Sequence, residues 1–349
     1  MFSTIPIIQA PMAGAQGPEL CIAVCEAGGL GSLPCAMLTP QTAREQIAAV
    51  RSQTRAPFNV NFFVHKPPRA DADIERRWLE RLSPYYAEAG LECASEAGPA
   101  RAPFDDAMCA VVEETRPPVV SFHFGLPEES LLARVKATGA KILSSATTVA
   151  EACWLAERGV DAIIAQGREA GGHRGMFLEE DIDAQPGLFA LLPQIADAVS
   201  IPVIAAGAIA DGRGIAAAFM LGAATVQIGT AFLPTPQAKI SDLHRAALRE
   251  ARDNATRLTN LYTGRPARGL LTRFMREQGP LNRETPEFPL AAAAAAALRA
   301  AFEARGRTDF SPLWAGEAAA LAREEDAGEL TRRLWREAQE LLNPVPMRA

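Results

Sequence analysis

A (β/α)8 barrel with a C-terminal helical cap is the α/β fold this chain predicts, and three observations point to it. Eight short apolar runs flanked by Gly or Pro alternate with helix-period segments over residues 1–235, the pattern of parallel strands joined by crossover helices. Polar side chains collect at the C-terminal ends of those runs, where such a barrel carries its chemistry. Residues 236–349 lose the strand signal and turn helical and Ala/Arg-rich, which predicts a cap packed on the barrel rim. An open doubly wound sheet is the competing arrangement, because periodicity does not report closure.

Residues 6–12 predict the first strand and 18–27 the first helix, which opens on Pro18 and stops at Gly28-Gly29. Residues 29–33 form the second strand. Thr39 then caps a helix through about Ser52, with Ala43, Ile47 and Val50 on one face. FNVNFF (58–63) alternates as the third strand and puts Asn59 and Asn61 on one side. The pattern weakens from about 65 to 118, which predicts a helical excursion of the third unit. VVSFHFG (119–125) is the fourth strand and carries His123; the helix after Pro127 ends at Gly139. Residues 141–146 are the fifth strand, and Thr148 with Glu151 has the T-x-x-E spacing of a capping box. Runs 160–165, 201–207 and 224–230 complete the barrel. In the cap, 240–252, 290–305 with its seven consecutive alanines, and 324–342 predict helices.

Composition narrows the function classes. A formal charge of −6 with 48% hydrophobic and 22% charged residues describes a large globular core without the basic footprint of a nucleic-acid binder. No run of 18 apolar residues and no leader pattern is visible, so the expectation is a cytoplasmic protein without a membrane partner. The six cysteines (21, 25, 35, 93, 109, 153) lack the spacing of a zinc site, which predicts small buried thiols and no metal.

The chemistry-bearing stretch is AQGREAGGHRG (165–175), at the end of the sixth strand. Gly167, Gly171 and Gly172 let backbone approach a ligand, and His173 can exchange protons near neutral pH. A Gly-rich turn with an inert, capped histidine is the alternative. The loops after strands seven and eight, AAGAIADGRG and QIGT, suit a phosphate. Gly207 would admit it, and the Gly229 N–H and Thr230 hydroxyl could donate to it, unless these glycines serve only tight turns. With no GxGxxG after a strand and no GxxxxGK[ST], a cofactor with one phosphate fits best. Met12, Asn61, His123, Gln166, His173, Gln227 and Thr230 would share the barrel mouth. His65 and His244 are expected to be exposed and incidental.

These residues carry a resemblance. QAPMAG (9–14), AGGLG (27–31), FNVNFF, SFHFG (121–125), DAIIAQGREAGGHRG (161–175), IPVIAAGAI (201–209) and GAATVQIGTAFL (222–233) resemble the nitronate monooxygenase family, and YTGRPARGL (262–270) and LWAGE (313–317) continue the likeness weakly. The resemblance implies an FMN-containing TIM barrel that oxidises alkyl nitronates, such as propionate 3-nitronate, with O2 to a carbonyl compound and nitrite. Carried over by position, the FMN contacts are Ala10, Pro11, Met12, Asn61, Gln166, Gly171, Gly207, Gln227, Ile228, Gly229 and Thr230. His173 matches the active-site histidine, which abstracts a carbon-bound proton or holds a preformed nitronate. His123 would orient the nitro oxygens or fill a packing role. Tyr262 and Arg265 or Arg268 would shape the mouth, unless the arginines pair with carboxylates of the cap.

Two departures stand out: Ala208 where the resemblance leads one to expect Gly, and Glu317 where it leads one to expect an amide. Glu317 is expected on the solvated surface; at the barrel mouth it would disfavour an anionic nitronate. Two competing functions accompany this reading: an NAD(P)H-dependent flavin reductase of the enoyl-thioester or quinone type, and a flavin or phosphate-ester binding protein without turnover. The sequence leaves the physiological nitronate and assembly into a homo-oligomer open.

Overall fold

Parallel strands covered on both faces read as near-continuous apolar runs, and the eight runs of this chain pair into one sheet. A computed structural model describes residues 3–93 and 102–343. The barrel strands are β1 (Ile7–Gln9), β2 (Gly31–Pro34), β3 (Phe58–Phe63), β4 (Val119–His123), β5 (Lys141–Ala146), β6 (Ala162–Gln166), β8 (Val203–Ala206) and β9 (Thr225–Ile228), with a two-residue strand β7 (Gly172–His173) outside the barrel. Every barrel pairing is parallel, in the order β1-β9-β8-β6-β5-β4-β3-β2. The Ile8–Leu30 bridge brings β1 back beside β2, with Gln9 N donating to Leu30 O at 2.9 Å and Leu30 N to Ile7 O at 2.9 Å. Ile8, Leu30, Val119, Leu143, Ala162, Ile164, Ile204 and Ala206 form one buried cluster on these strands and the adjoining bridge.

The first strand is shorter than its sequence pattern. It stops at Gln9 because two buried amides take over: Gln9 Oε1 accepts from Ser32 N at 3.0 Å, and Gln16 Oε1 accepts from Met12 N at 2.9 Å. Ala10 N still donates to Ile228 O at 2.8 Å, and Pro11, which has no N–H to continue the ladder, and Met12 then turn onto the mouth.

Helices α1 (Pro18–Glu26), α2 (Pro40–Gln53), α4 (Asp106–Thr115), α5 (Glu129–Ala137), α6 (Val149–Glu157), α7 (Leu188–Ala198) and α8 (Gly212–Met220) cover the barrel. The capping box of α6 is half formed. Thr148 Oγ1 accepts from Glu151 N at 3.2 Å, but the Glu151 carboxylate does not return the bond. It is fully buried and accepts instead from Thr147 N and Oγ1 (2.6 and 2.7 Å) and from Phe177 N and Leu178 N (2.5 and 3.0 Å).

The predicted excursion divides in two. Within it, α4 takes a shell position, whereas α3 (Ala72–Ala89) leaves the barrel and packs with α10 (Arg273–Gln278) and α11 (Ala291–Glu303), its Tyr86 hydroxyl donating to Ala294 O at 2.7 Å. α9 (Asp242–Arg249) also lies in the C-terminal region, and α12 (Ala327–Leu342) buries Leu330, Leu334 and Ala338 in the main barrel core. Two strands, β10 (Thr256–Thr259) and β11 (Ala267–Leu270), pair antiparallel and extend onto β7. The sequence reading has no counterpart for this small sheet, whose strands are too short to show a period. Of the cysteines read as buried thiols, Cys93 is exposed and Cys153 half-buried. No helix among the described residues is long and apolar enough to cross a membrane.

Candidate active site

The C-terminal ends of the barrel strands open into one cavity of about 310 Å³, within the range of small-molecule sites. Ala10, Pro11 and Met12 line it from the β1 loop and Asn61 from β3. Asn61 Nδ2 is fixed by Ser121 Oγ at 2.9 Å, and Asn59, below it, donates to the same hydroxyl at 2.9 Å.

Across the cavity stand the loops after β8 and β9, where Gly207, Gln227, Gly229 and Thr230 line the wall. Gly207 (φ 125°) and Ala208 (φ 53°) both adopt positive φ, and at Ala208 the side chain makes that conformation strained. Thr230 Oγ1 accepts from Gly316 N at 2.9 Å, which leaves its own proton for another acceptor. Gln227 Oε1 is buried with no hydrogen-bond partner among the described residues. Ile228 stands apart: it is 1% exposed and lies within the wall, where its carbonyl accepts from Ala10 N at 2.8 Å.

His173 and Gly171 line the same cavity. His173 sits on β7, which pairs with β11 at Ala267, and its Nε2 meets Thr263 Oγ1 at 2.9 Å. Phe63, Phe124, Phe288 and Trp314 surround the imidazole, with ring centroids 5.4–6.3 Å away. The backbone beneath is pinned from the barrel. Gln166 Nε2 donates to His173 O at 3.0 Å while its Oε1 accepts from Gly175 N at 2.8 Å, so this one amide clamps both sides of Arg174.

Arg174 is fully buried and donates to Gln185 Oε1 (2.8 Å), Gly167 O (2.6 Å) and Gln166 O (2.8 Å). Burial pulls its guanidinium down to about 9, which still leaves it charged at neutral pH.

His123 lines the cavity but spends both ring nitrogens on the protein. Nε2 lies 3.1 Å from His173 O and Nδ1 3.0 Å from Ser145 Oγ. A carbonyl only accepts, so Nε2 carries the proton and Nδ1 accepts from the serine. Burial holds this imidazole down to about 4, assisted by Arg265 and Arg174 and opposed by its bond to the His173 carbonyl. His123 is therefore neutral and turned toward the loop.

The other two histidines are not exposed, contrary to expectation. His65 is 5% exposed and packs edge-on against Phe288 at 4.8 Å. His244 is 8% exposed, lines the cavity beside the Trp314 carbonyl and is held down to about 4 by burial. Polar neighbours in sequence misled here, since they do not reveal which helix face is covered. Glu317 is 45% exposed and pairs with buried Arg268 at 3.0 Å. Tyr262 is buried, its hydroxyl 2.6 Å from Thr272 Oγ1. Thr263 and Trp314 were missed. Their only sequence signal was position inside YTGRPARGL and LWAGE, which does not say that they meet His173.

Comparison with known proteins agrees with this geometry. A profile described as nitronate monooxygenase matches residues 1–337. The chain is 44% identical over 343 residues to a nitronate monooxygenase of Paraburkholderia phytofirmans, covering 97% of this chain and 94% of that one. It is 45% identical over 335 residues to a nitronate monooxygenase of Pseudomonas aeruginosa, covering 95% of each. Among solved structures, a nitroalkane oxidase from Streptomyces ansochromogenes superposes with a TM-score of 0.89 at 40% identity over 97% of both chains. FabK from Thermotoga maritima superposes at 0.73 with 30% identity, over 97% of this chain and 93% of that one. With a closed eight-stranded barrel, one histidine-lined mouth and matches along nearly its whole length, the chain belongs to the nitronate monooxygenase family and is an oxidoreductase.

Proposed function

We propose that this chain is an FMN-dependent enzyme that oxidises alkyl nitronates, propionate 3-nitronate among them, with O2 to a carbonyl compound and nitrite. The observation that carries the reading is the shared cavity: His173 lines it together with the glycine and amide wall after β8 and β9. That wall fits the cofactor. Gln227 Oε1 is a buried acceptor without a partner among the described residues, which a ring N–H would satisfy. Gly207, Gly229 and Thr230 would hold the phosphate through backbone N–H groups and the Thr230 hydroxyl. Asn61, Gln166 and Gln227 would face the ring.

Bound FMN would supply the electron acceptor for the substrate and return electrons to O2. The protein's part is binding and proton handling. His173 takes the carbon-bound proton of a nitroalkane, or as imidazolium pairs with a nitronate already formed. Gln166 and His123 hold the His173 carbonyl and so fix where the ring stands, while Phe63, Phe124, Phe288 and Trp314 limit water around it.

The test is the visible spectrum of the protein with FMN, before and after anaerobic addition of propionate 3-nitronate, with NADPH added to a parallel sample. Bleaching by the nitronate and silence with NADPH is the expected result. Bleaching by NADPH alone moves the chain to the reductase reading, and no flavin spectrum at all removes the cofactor assignment.

A further inference from the structure

We propose that the arm of the cavity between α9, α11 and residues 311–313 is a second substrate subsite, in which His244 receives a hydroxyl group carried on the substrate's tail. The chemistry of the reacting head rests on the nitronate reading; the class of tail follows from residues outside the His173 and glycine walls.

Lys239, Ser241, His244, Arg299, Glu303 and Ser311 line the same cavity as His173, on a side that neither wall uses. The arm runs from buried His244 and Ser311 to exposed Lys239, Ser241 and Arg299. Trp314 joins the two regions: the centroids of its ring and the His173 imidazole are 5.4 Å apart, and its carbonyl stands beside His244. A ligand whose head is held at His173 therefore reaches the arm through a short chain.

The Nε2 atom of His244 is buried with no hydrogen-bond partner among the described residues. A buried polar atom left this way costs stability unless a ligand completes it. Burial keeps the ring neutral, helped by Arg299 and Arg245 and opposed by the Trp314 carbonyl and Glu303. The charges lining the arm are matched. Arg299 Nε donates to Glu303 Oε1 at 2.8 Å, the same oxygen accepts from Ser311 Oγ at 2.6 Å, and Lys239 pairs with Glu19 at 3.1 Å. With no surplus charge, the arm offers little to a carboxylate, whose burial needs a partner. A hydroxyl fits, because it donates to a bare ring nitrogen or accepts from a protonated one and so satisfies either tautomer of a neutral imidazole.

The test uses 6-hydroxyhexanoate and heptanoate, inert carboxylates shaped like a nitronate that differ only in a terminal hydroxyl or methyl. Each is titrated calorimetrically into the flavin-loaded parent, His244→Phe and His244→Gln. The affinity ratio of the hydroxyl to the methyl ligand should fall about tenfold in His244→Phe and hold within about threefold in His244→Gln, whose amide nitrogen takes the place of Nε2. The ratio of kcat/KM for the nitronates of 5-nitropentan-1-ol and 1-nitrohexane should fall in parallel. An unchanged affinity ratio in His244→Phe overturns the proposal, as does tighter binding of heptanedioate than of 6-hydroxyhexanoate by the parent, which would mark a carboxylate site. Lower FMN affinity with an unchanged ratio overturns it too, giving the arm to the hydroxylated chain of the cofactor. A parent that does not oxidise nitronates removes the proposed function, while the calorimetric ratio, which needs no turnover, still decides the subsite. Should His244→Phe not fold, His244→Leu carries the same decision.

Discussion

The two walls of the cavity are built by opposite means. The wall after β8 and β9 is local: Gly207, Ala208, Gly229 and Thr230 are strand-end residues whose backbone does the work. The His173 wall is assembled from a distance. Its loop is held by Gln166 of β6, His123 of β4, Ser145 of β5, Thr263 before β11 and aromatic rings from β3 and the cap. A wall that only has to present backbone groups can be made from turn geometry. One that must aim an imidazole needs bonds from several elements, because a long Gly-containing loop does not fix its own position.

The largest expected break in this contrast is His173→Asn. Turnover of a neutral nitroalkane should fall about 10²- to 10⁴-fold, as for loss of a general base, while a preformed nitronate retains much more activity. Oxygen uptake with each substrate reads the split, and equal loss on both would make His173 a binding group instead.

Acid should loosen the His173 side next. His123 and His244 are held down to about 4 in the folded chain against an ordinary 6.5. Between those values the unfolded chain binds more protons, so their contribution is fully present above pH 6.5 and is lost as pH falls toward 4. The slope is at most about 1.4 kcal/mol per pH unit for each group. Denaturant titrations of the parent and of His123→Gln across this window check it, and a pH-independent difference between them would contradict the assignment to His123.

Thr263→Val sharpens the comparison more gently. Removing the hydroxyl on His173 Nε2 should lower kcat/KM about tenfold and move the acid limb of its pH profile, with flavin affinity unchanged. A loss of flavin without a change in profile would place Thr263 on the other wall. The smallest effect belongs to Ala208→Gly. Relief of the positive φ, less the extra freedom gained by the unfolded chain, should add about 0.5–1 kcal/mol of stability to the flavin-free protein. A decrease in the denaturation midpoint would show that the methyl group makes a useful contact.

The same division governs what could be read from the chain alone. FNVNFF, the run through AQG and the run into QIGT announce buried parallel strands because period and composition are local properties. The glycines after them announce close backbone approach for the same reason. Glu151 reads as a cap because it stands three residues after Thr148, yet its carboxylate serves the loop at Phe177 and Leu178. His65 and His244 read as exposed, yet both are buried, since covering a side chain takes a partner that sequence distance hides.

By itself, the sequence determined the eight strand-helix units and their order, the glycine turns after the seventh and eighth barrel strands and the histidine beyond the sixth, all set by short-range pattern and backbone sterics, while closure of the sheet came from the fold. Only the tertiary structure decided that α3 joins the cap, that α12 joins the barrel core, that His123 faces the loop as a neutral ring, and that Thr263 meets the His173 ring. Those features depend on contacts between residues tens to more than two hundred positions apart, which no local pattern encodes.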